Sequence, residues 1–190
     1  MPTVVYAIGH STRTIDDFIE ILRAHSISTL VDIRTIPKSR HNPQFNEDQL
    51  KRSLESKCLA YVHFRELGGL RKAKKDSVNT GWQNASFRGF ADYMQTREFV
   101  SAIRRLMQLA KEGPVAIMCA EGNPFRCHRS LVADALAVRK VRVLHISSRT
   151  SVREHTLTKF ARVSGTKIIY PGASRGRRDN QTIDRHDIRR

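Results

Sequence analysis

Residues Cys119 to Arg129 place two thiols, a carboxylate, an imidazole and two guanidiniums within one short segment, Cys-Ala-Glu-Gly-Asn-Pro-Phe-Arg-Cys-His-Arg. A thiol beside arginines and near a helix start is a stronger acid than a free one and holds more thiolate at neutral pH. Free backbone N–H groups at a helix start also favour anions. On this chemistry Cys119, Glu121 and His10 are the candidate catalytic residues. Ser11, Arg34, Arg40, Arg126, Cys127, His128 and Arg129 are the candidates for holding a substrate or anion. Each has a plainer role open to it. Cys119 can be small apolar filler at a strand end. Glu121 can serve as acid or base, or anchor its own turn. Asp32 and Arg34 can orient His10 or simply pair with each other. A metal is a further reading, with Cys119, Cys127, His128, His10 and His63 as donors. The spacing Cys-x7-Cys-His is not among the usual zinc patterns, so the metal and any cofactor stay open.

Such residues need a scaffold that gathers them. Val4 to Ile8 reads as a buried strand ending in Gly9-His10-Ser11. Thr14 to Asp17 has the form of a capping box ahead of a helix carrying Ile15, Phe18, Ile19 and Leu22. Thr29 to Ile33 is a second strand, and Thr35 to Phe45, with Pro37 and Pro43, is loop. Asn46 with Gln49 starts a helix, and Leu59 to Phe64 is a third strand. Gly68 to about Arg88 is a long polar stretch containing Trp82. Loops of that length are usually functional or disordered. The aromatics Trp82, Phe87, Phe90 and Tyr93 suit either base stacking or pinning of this loop to the body. A helix through Phe99, Ile103, Leu106 and Met107 stops at Gly113-Pro114. Val115 to Cys119 is a fourth strand, Leu131 to Leu136 marks a helix, and Val141 to Ile146 is a fifth strand. Glu154 to Arg162 is expected as a last helix.

This alternation predicts an α/β fold: an open, doubly wound, mostly parallel sheet of about five strands with helices on both faces. One α/β domain is expected over 1–150, a helix or extension over 151–171, and a basic, flexible tail over 172–190. Ligands of open parallel sheets bind beyond the carboxyl ends of the strands, where His10, Asp32, Arg34, His63, Cys119, Glu121 and His145 all fall.

Composition narrows the class of protein. Hydrophobic residues make up 39% of the 190, enough for a packed interior. No apolar run approaches the roughly 20 residues needed to span a bilayer. No signal peptide is apparent, so the expected location is cytoplasmic. Three cysteines, Cys58 among them, do not make a disulfide scaffold. The formal charge of +16 favours an anionic partner such as nucleic acid or a nucleotide, and no membrane. Part of that charge sits in residues 38–75, where ten Lys or Arg face four acids. The oligomeric state is left open.

The segments Ile8-Gly-His-Ser11, Val31-Asp-Ile-Arg34 with Pro37 and Ser39-Arg40, and Leu67-Gly-Gly69 follow one another along the chain. After them come Phe90-Ala-Asp-Tyr93, Met118-Cys-Ala-Glu121, Cys127-His-Arg129 and His145-Ile146. In these pieces, across residues 4–147, the sequence resembles the bacterial domain-of-unknown-function family 488, DUF488. The resemblance supports a strand-end site and implies no reaction. Phosphatase and rhodanese loops are a poorer match, since six residues separate Cys119 from Arg126, more than those loops use.

Two classes of function remain. One is an enzyme acting on a phosphate-bearing or nucleic-acid-related substrate. The other is a nucleic-acid-binding module, or a Cys/His metal-binding protein. The enzyme is the expectation, because a binder has little use for a Cys-Glu-His combination in one turn.

Overall fold

A computed structural model describes residues 3–172. Strand β1 is Val4–Gly9, helix α1 Ile15–Ala24, strand β2 Thr29–Asp32, helix α2 Glu47–Glu55 and strand β3 Ala60–His63. Helices α3, Ala85–Tyr93, and α4, Arg97–Glu112, precede strand β4, Val115–Cys119. Helix α5, Arg129–Ala137, leads to strands β5, Arg142–Ile146, and β6, Val152–Glu154. Strands β7, Arg162–Ser164, and β8, Lys167–Ile169, form a separate antiparallel pair. The main sheet has the order β3-β2-β4-β1-β5-β6, parallel except for β6.

A strand buried on both faces reads as an unbroken apolar run, and β4, Val-Ala-Ile-Met-Cys, is buried throughout. Its side chains alternate between two cores. Val115, Ile117 and Cys119 join Val5 and Ala7 of β1 against Phe90, Phe99, Ile103 and Leu131 of α3, α4 and α5. Ala116 and Met118 join Ile8 against Phe18, Leu22, Leu50 and Leu54 of α1 and α2. Helices thus cover both faces of the sheet. Each fully buried Leu, Ile or Phe is worth roughly 1.5–3 kcal/mol, so these two layers hold the sheet rigid behind its strand ends.

Helix α1 begins as its sequence suggests, with the Thr14 side chain accepting from the Asp17 N–H. The Asp17 carboxylate faces Arg13 and Arg149 instead. Asn46 does precede α2, but its Oδ1 accepts from the Ser39 N–H and caps nothing. That bond folds the Thr35–Phe45 loop back on itself. The long polar stretch ends sooner than expected, because Asn84 caps α3 by accepting from the Ser86 and Phe87 N–H groups. The stretch is tied down by buried Asp92, which accepts from the Lys74 N–H, Ser77 and Asn79. Trp82 packs among Phe87, Phe160 and Tyr170, the pinning role.

No helix spans Glu154–Arg162. Leu157 is exposed, and Phe160 packs on Trp82 and Tyr170 from a non-helical segment that pairing with β5 and hydrogen bonds to Asp134 hold in place. The segment instead adds β6 to the edge of β5, where Arg142 grips Glu154 through two hydrogen bonds. Beyond it, fully buried Asp134 of α5 accepts from His155, from the N–H and hydroxyl of Thr158, and from the Tyr170 hydroxyl. The expected tail lies outside the described residues, apart from Gly172.

After β1 the chain turns into α1 on one face, and after the neighbouring β4 it turns into α5 on the other. Such a divergence is where open α/β sheets form their crevice. Here the two ends also touch. His10 N–H donates to the Cys119 carbonyl and Ser11 N–H to the Ala120 carbonyl. A Cβ on Gly9 would lie 2.0 Å from the Glu121 carbonyl oxygen. Backbone on both sides leaves no flexible neighbour to give way. Gly9→Ala should therefore lower stability by about 1–3 kcal/mol in urea unfolding, the range for overpacking. Gly122→Ala, whose Cβ meets only the Ser11 side chain at 3.2 Å, should cost clearly less. Equal losses would show that the β1–β4 approach is not the tight point.

Candidate functional site

Cys119 is the last residue of β4 and faces the α3–α5 side of the sheet. The turn that follows is built from its own side chains. Glu121 Oε1 accepts from the Asn123 N–H, and Asn123 Oδ1 accepts from the Phe125 N–H. Pro124–Arg126 forms one turn of 3₁₀ helix, which delivers Cys127 and His128 to the start of α5. The Arg129 N–H then donates to Cys127 Sγ at 3.4 Å.

His128 is oriented by its far nitrogen. Nε2 lies 3.1 Å from the Ile33 carbonyl oxygen. A carbonyl only accepts, so Nε2 carries the proton. Neutral His128 therefore presents the Nδ1 lone pair on its other edge. Two sulfurs face that edge, Cys119 Sγ at 3.8 Å and Cys127 Sγ at 3.9 Å. The Phe90 ring meets the imidazole edge to face, and Gly69 lies so close that a Cβ there would be 2.5 Å from Nδ1. Only a glycine lets the loop pass over the ring.

The paired thiols differ. The Cys119 thiol is held well below the ordinary thiol range, first because Cys127 donates to it; burial opposes this, and Arg129 and the protonated form of His128 add to it. The Cys127 thiol is pushed up by that same hydrogen bond and by burial. Arg129, 1% exposed, supplies the lasting positive charge. All of its side-chain hydrogen bonds go to backbone carbonyls, those of Ile8, Glu121 and Gly122. Arg129 thus holds the β1 and β4 ends together.

A cavity of about 320 Å³ opens over the cluster, and Cys119, Cys127 and His128 contribute to its wall. Ile36, Leu70 and Phe87 supply apolar surface, while Arg34, Lys38, Glu121 and Arg126 supply charge. Arg34 is buried and paired with Asp32 through Nε and Nη2, with a further bond from Nη2 to the Phe45 carbonyl. Its Nη1 has no partner among the described residues.

The remaining candidates lie apart from this wall. His10 stacks on Phe45 at 4.2 Å between ring centroids, on the α1–α2 side. Its Nδ1 contacts the Ser11 carbonyl, and burial lowers its pKa. Ser11 adopts a left-handed conformation, φ 51°, and lines a different cavity on the far side of the Gly122–Phe125 turn. Arg40 is exposed on its loop. His63 contacts the Arg34 carbonyl through Nε2 and faces Glu47 through Nδ1. Lys38 was not singled out as a site residue; Phe87 was named only among the aromatics of the long stretch, and Gly69 only in its Gly-Gly pair.

The family model described as Domain of unknown function DUF488 matches residues 14–136, a span that holds the cysteines, His128, Glu121 and Arg34. No curated protein and no solved structure matches the chain.

The difference between the thiols is measurable. In chelator-treated protein, iodoacetamide should alkylate Cys119 ahead of Cys127, since the thiolate is the nucleophile. A depressed pKa keeps more of Cys119 ionised as pH falls, so its rate should fall less steeply with pH than that of an ordinary thiol. Peptide mapping by mass spectrometry reads both. Faster labelling of Cys127, or a steep fall for Cys119, would contradict the assignment.

Proposed function

The chain belongs to the DUF488 family, a domain of unknown function, and on that premise we propose that it is an enzyme acting on a small, phosphate-bearing or otherwise anionic substrate in the Cys119 cavity. One observation carries the reading: the Cys119–Cys127–His128 cluster borders a cavity of about 320 Å³ whose charged lining is three cations and one carboxylate. That volume lies in the range of small-molecule sites and takes a nucleotide or metabolite, not a duplex.

In this reading the substrate's anionic group meets Lys38 and Arg126, with the spare Arg34 Nη1 beneath. Its organic part lies against Ile36, Leu70 and Phe87. Glu121 is the one carboxylate lining the cavity and handles the proton of the reaction, held in place by the Asn123 N–H. Cys119 and its two partners form the reacting centre. Arg129 positions the turn from behind and touches no substrate. His10, buried on the other face against Phe45, supports the wall through the β1–β4 contact.

The test is a turnover screen on phosphate monoesters and nucleotides, followed by variants in the active assay. Cys119→Ser and Glu121→Gln should each lower kcat by about 10²–10⁴-fold, the usual weight of a proton-transfer or covalent group, with thermal unfolding unchanged. Arg126→Ala, at the exposed rim, should raise KM and leave kcat nearly intact. Full turnover by Cys119→Ser would overturn the reading. Absence of turnover on every substrate in the screen would instead favour a non-catalytic nucleic-acid binder, which would show oligonucleotide retention that falls steeply with salt.

A further inference from the structure

Cys119 Sγ, Cys127 Sγ and His128 Nδ1 lie within 4.8 Å of one another. One imidazole lone pair accepts one hydrogen bond well, yet here two sulfurs approach Nδ1 almost equally, at 3.8 and 3.9 Å. A thiol proton accounts for at most one of those contacts. A shared cation accounts for both. In a tetrahedral zinc site, Zn–S near 2.3 Å and Zn–N near 2.0–2.1 Å put sulfur and nitrogen about 3.6 Å apart, and two sulfurs about 3.8 Å apart. The two S···N separations are within a few tenths of an ångström of that figure.

We infer that Cys119, Cys127 and His128 form a zinc site with three protein ligands and a fourth position open to the cavity. The surroundings match the demands of such a site. A ligating histidine normally donates its other N–H to a carbonyl or carboxylate, and His128 Nε2 does so to Ile33. The Arg129 N–H donates to Cys127 Sγ and stabilises negative charge on it. Gly69 and Phe90 both pack against the ring. Two thiolates and one imidazole are a soft to borderline set that suits zinc and disfavours magnesium or calcium. Three protein ligands rather than four is the pattern of catalytic zinc, which leaves one position for water or substrate.

Among the described residues, this is the one group of three or more Cys, His, Asp or Glu whose ligand atoms lie this close together. His10 faces the other core, His63 is engaged by Arg34 and Glu47, and Cys58 is exposed on its own. The ligand spacing differs from zinc ribbons because the ligands come from a strand end and a helix start, separated by a turn that Glu121, Asn123 and Pro124 shape. Zinc bound there lowers the pKa of a water in the open position toward neutrality. Glu121, lining the same cavity, is then the group available to take that water's proton. This last point rests on the enzymatic reading, whereas the binding of the ion does not.

The test uses the full chain under reducing conditions. Titration with cobalt(II) as a probe should end at one ion per chain and produce the intense visible absorption of a tetrahedral ion together with thiolate-to-cobalt charge transfer. Zinc should displace it. His128→Ala should weaken zinc binding by more than the roughly 10–100-fold that loss of an outer partner costs, and Cys58→Ser should leave it unchanged. The spectrum of the unaltered protein stands even if His128→Ala fails to fold. A six-coordinate spectrum without charge transfer, or no saturable binding, would overturn the site. The two readings fail separately. Turnover that needs Cys119 but no zinc removes the metal and keeps the enzyme. One tightly held zinc with no turnover of any substrate in the screen keeps the metal and removes the enzyme.

Discussion

The arrangement depends on a guanidinium that spends its hydrogen bonds on the backbone. Arg129 is buried, and it donates to the carbonyls of Ile8, Glu121 and Gly122. Burying a cation costs several kcal/mol, and hydrogen bonds from a charged donor return about 1.5–3 kcal/mol each. The balance improves if negative charge sits nearby, and Cys119, whose pKa Arg129 helps to lower, supplies it when ionised. Arginine and thiolate therefore stabilise one another across the end of the sheet. The same bonds hold the carboxyl ends of β1 and β4 together, which requires Gly9. They also fix the turn that presents Cys127 and His128.

This places the chemistry at a junction of tightly packed backbone rather than on a free loop. The two hydrophobic layers make the strand ends rigid. The Ile33 carbonyl at the end of β2 orients His128, and Gly69 after β3 closes over it. Three strands, β2, β3 and β4, thus contribute to one imidazole. The long stretch after Gly68 is held by Asp92 and Trp82, so the cavity wall formed by Leu70 and Phe87 is part of the body.

Much of the fold was legible because parallel strands buried on both sides leave long apolar runs, and because helix faces repeat at helical spacing. The segment after Ser147 was not legible. Its strands are short and exposed, and what orders them is pairing with β5 and the distant Asp134, neither of which leaves a local pattern. The site was legible in part. Residue types alone brought Cys119, Glu121, Cys127 and His128 into view, since they share one turn. Roles were harder to read. Arg129 has the chemistry of an anion binder but its Nη1 and Nη2 are engaged by carbonyls, and Arg34 is largely occupied by Asp32. His10 is at the expected edge of the sheet, yet alternation along β1 turns its ring to the opposite core. Grouping two sulfurs and one nitrogen needs the third dimension, because the usual spacing rules describe other folds.

The account turns on which edge of His128 faces the sulfurs. Long-range proton–nitrogen correlation NMR on the chelator-treated protein at neutral pH reads this directly. The account predicts a His128 ring protonated at Nε2, with Nδ1 unprotonated and its shift moving when zinc is added. A His128 protonated at Nδ1, indifferent to zinc, would contradict it.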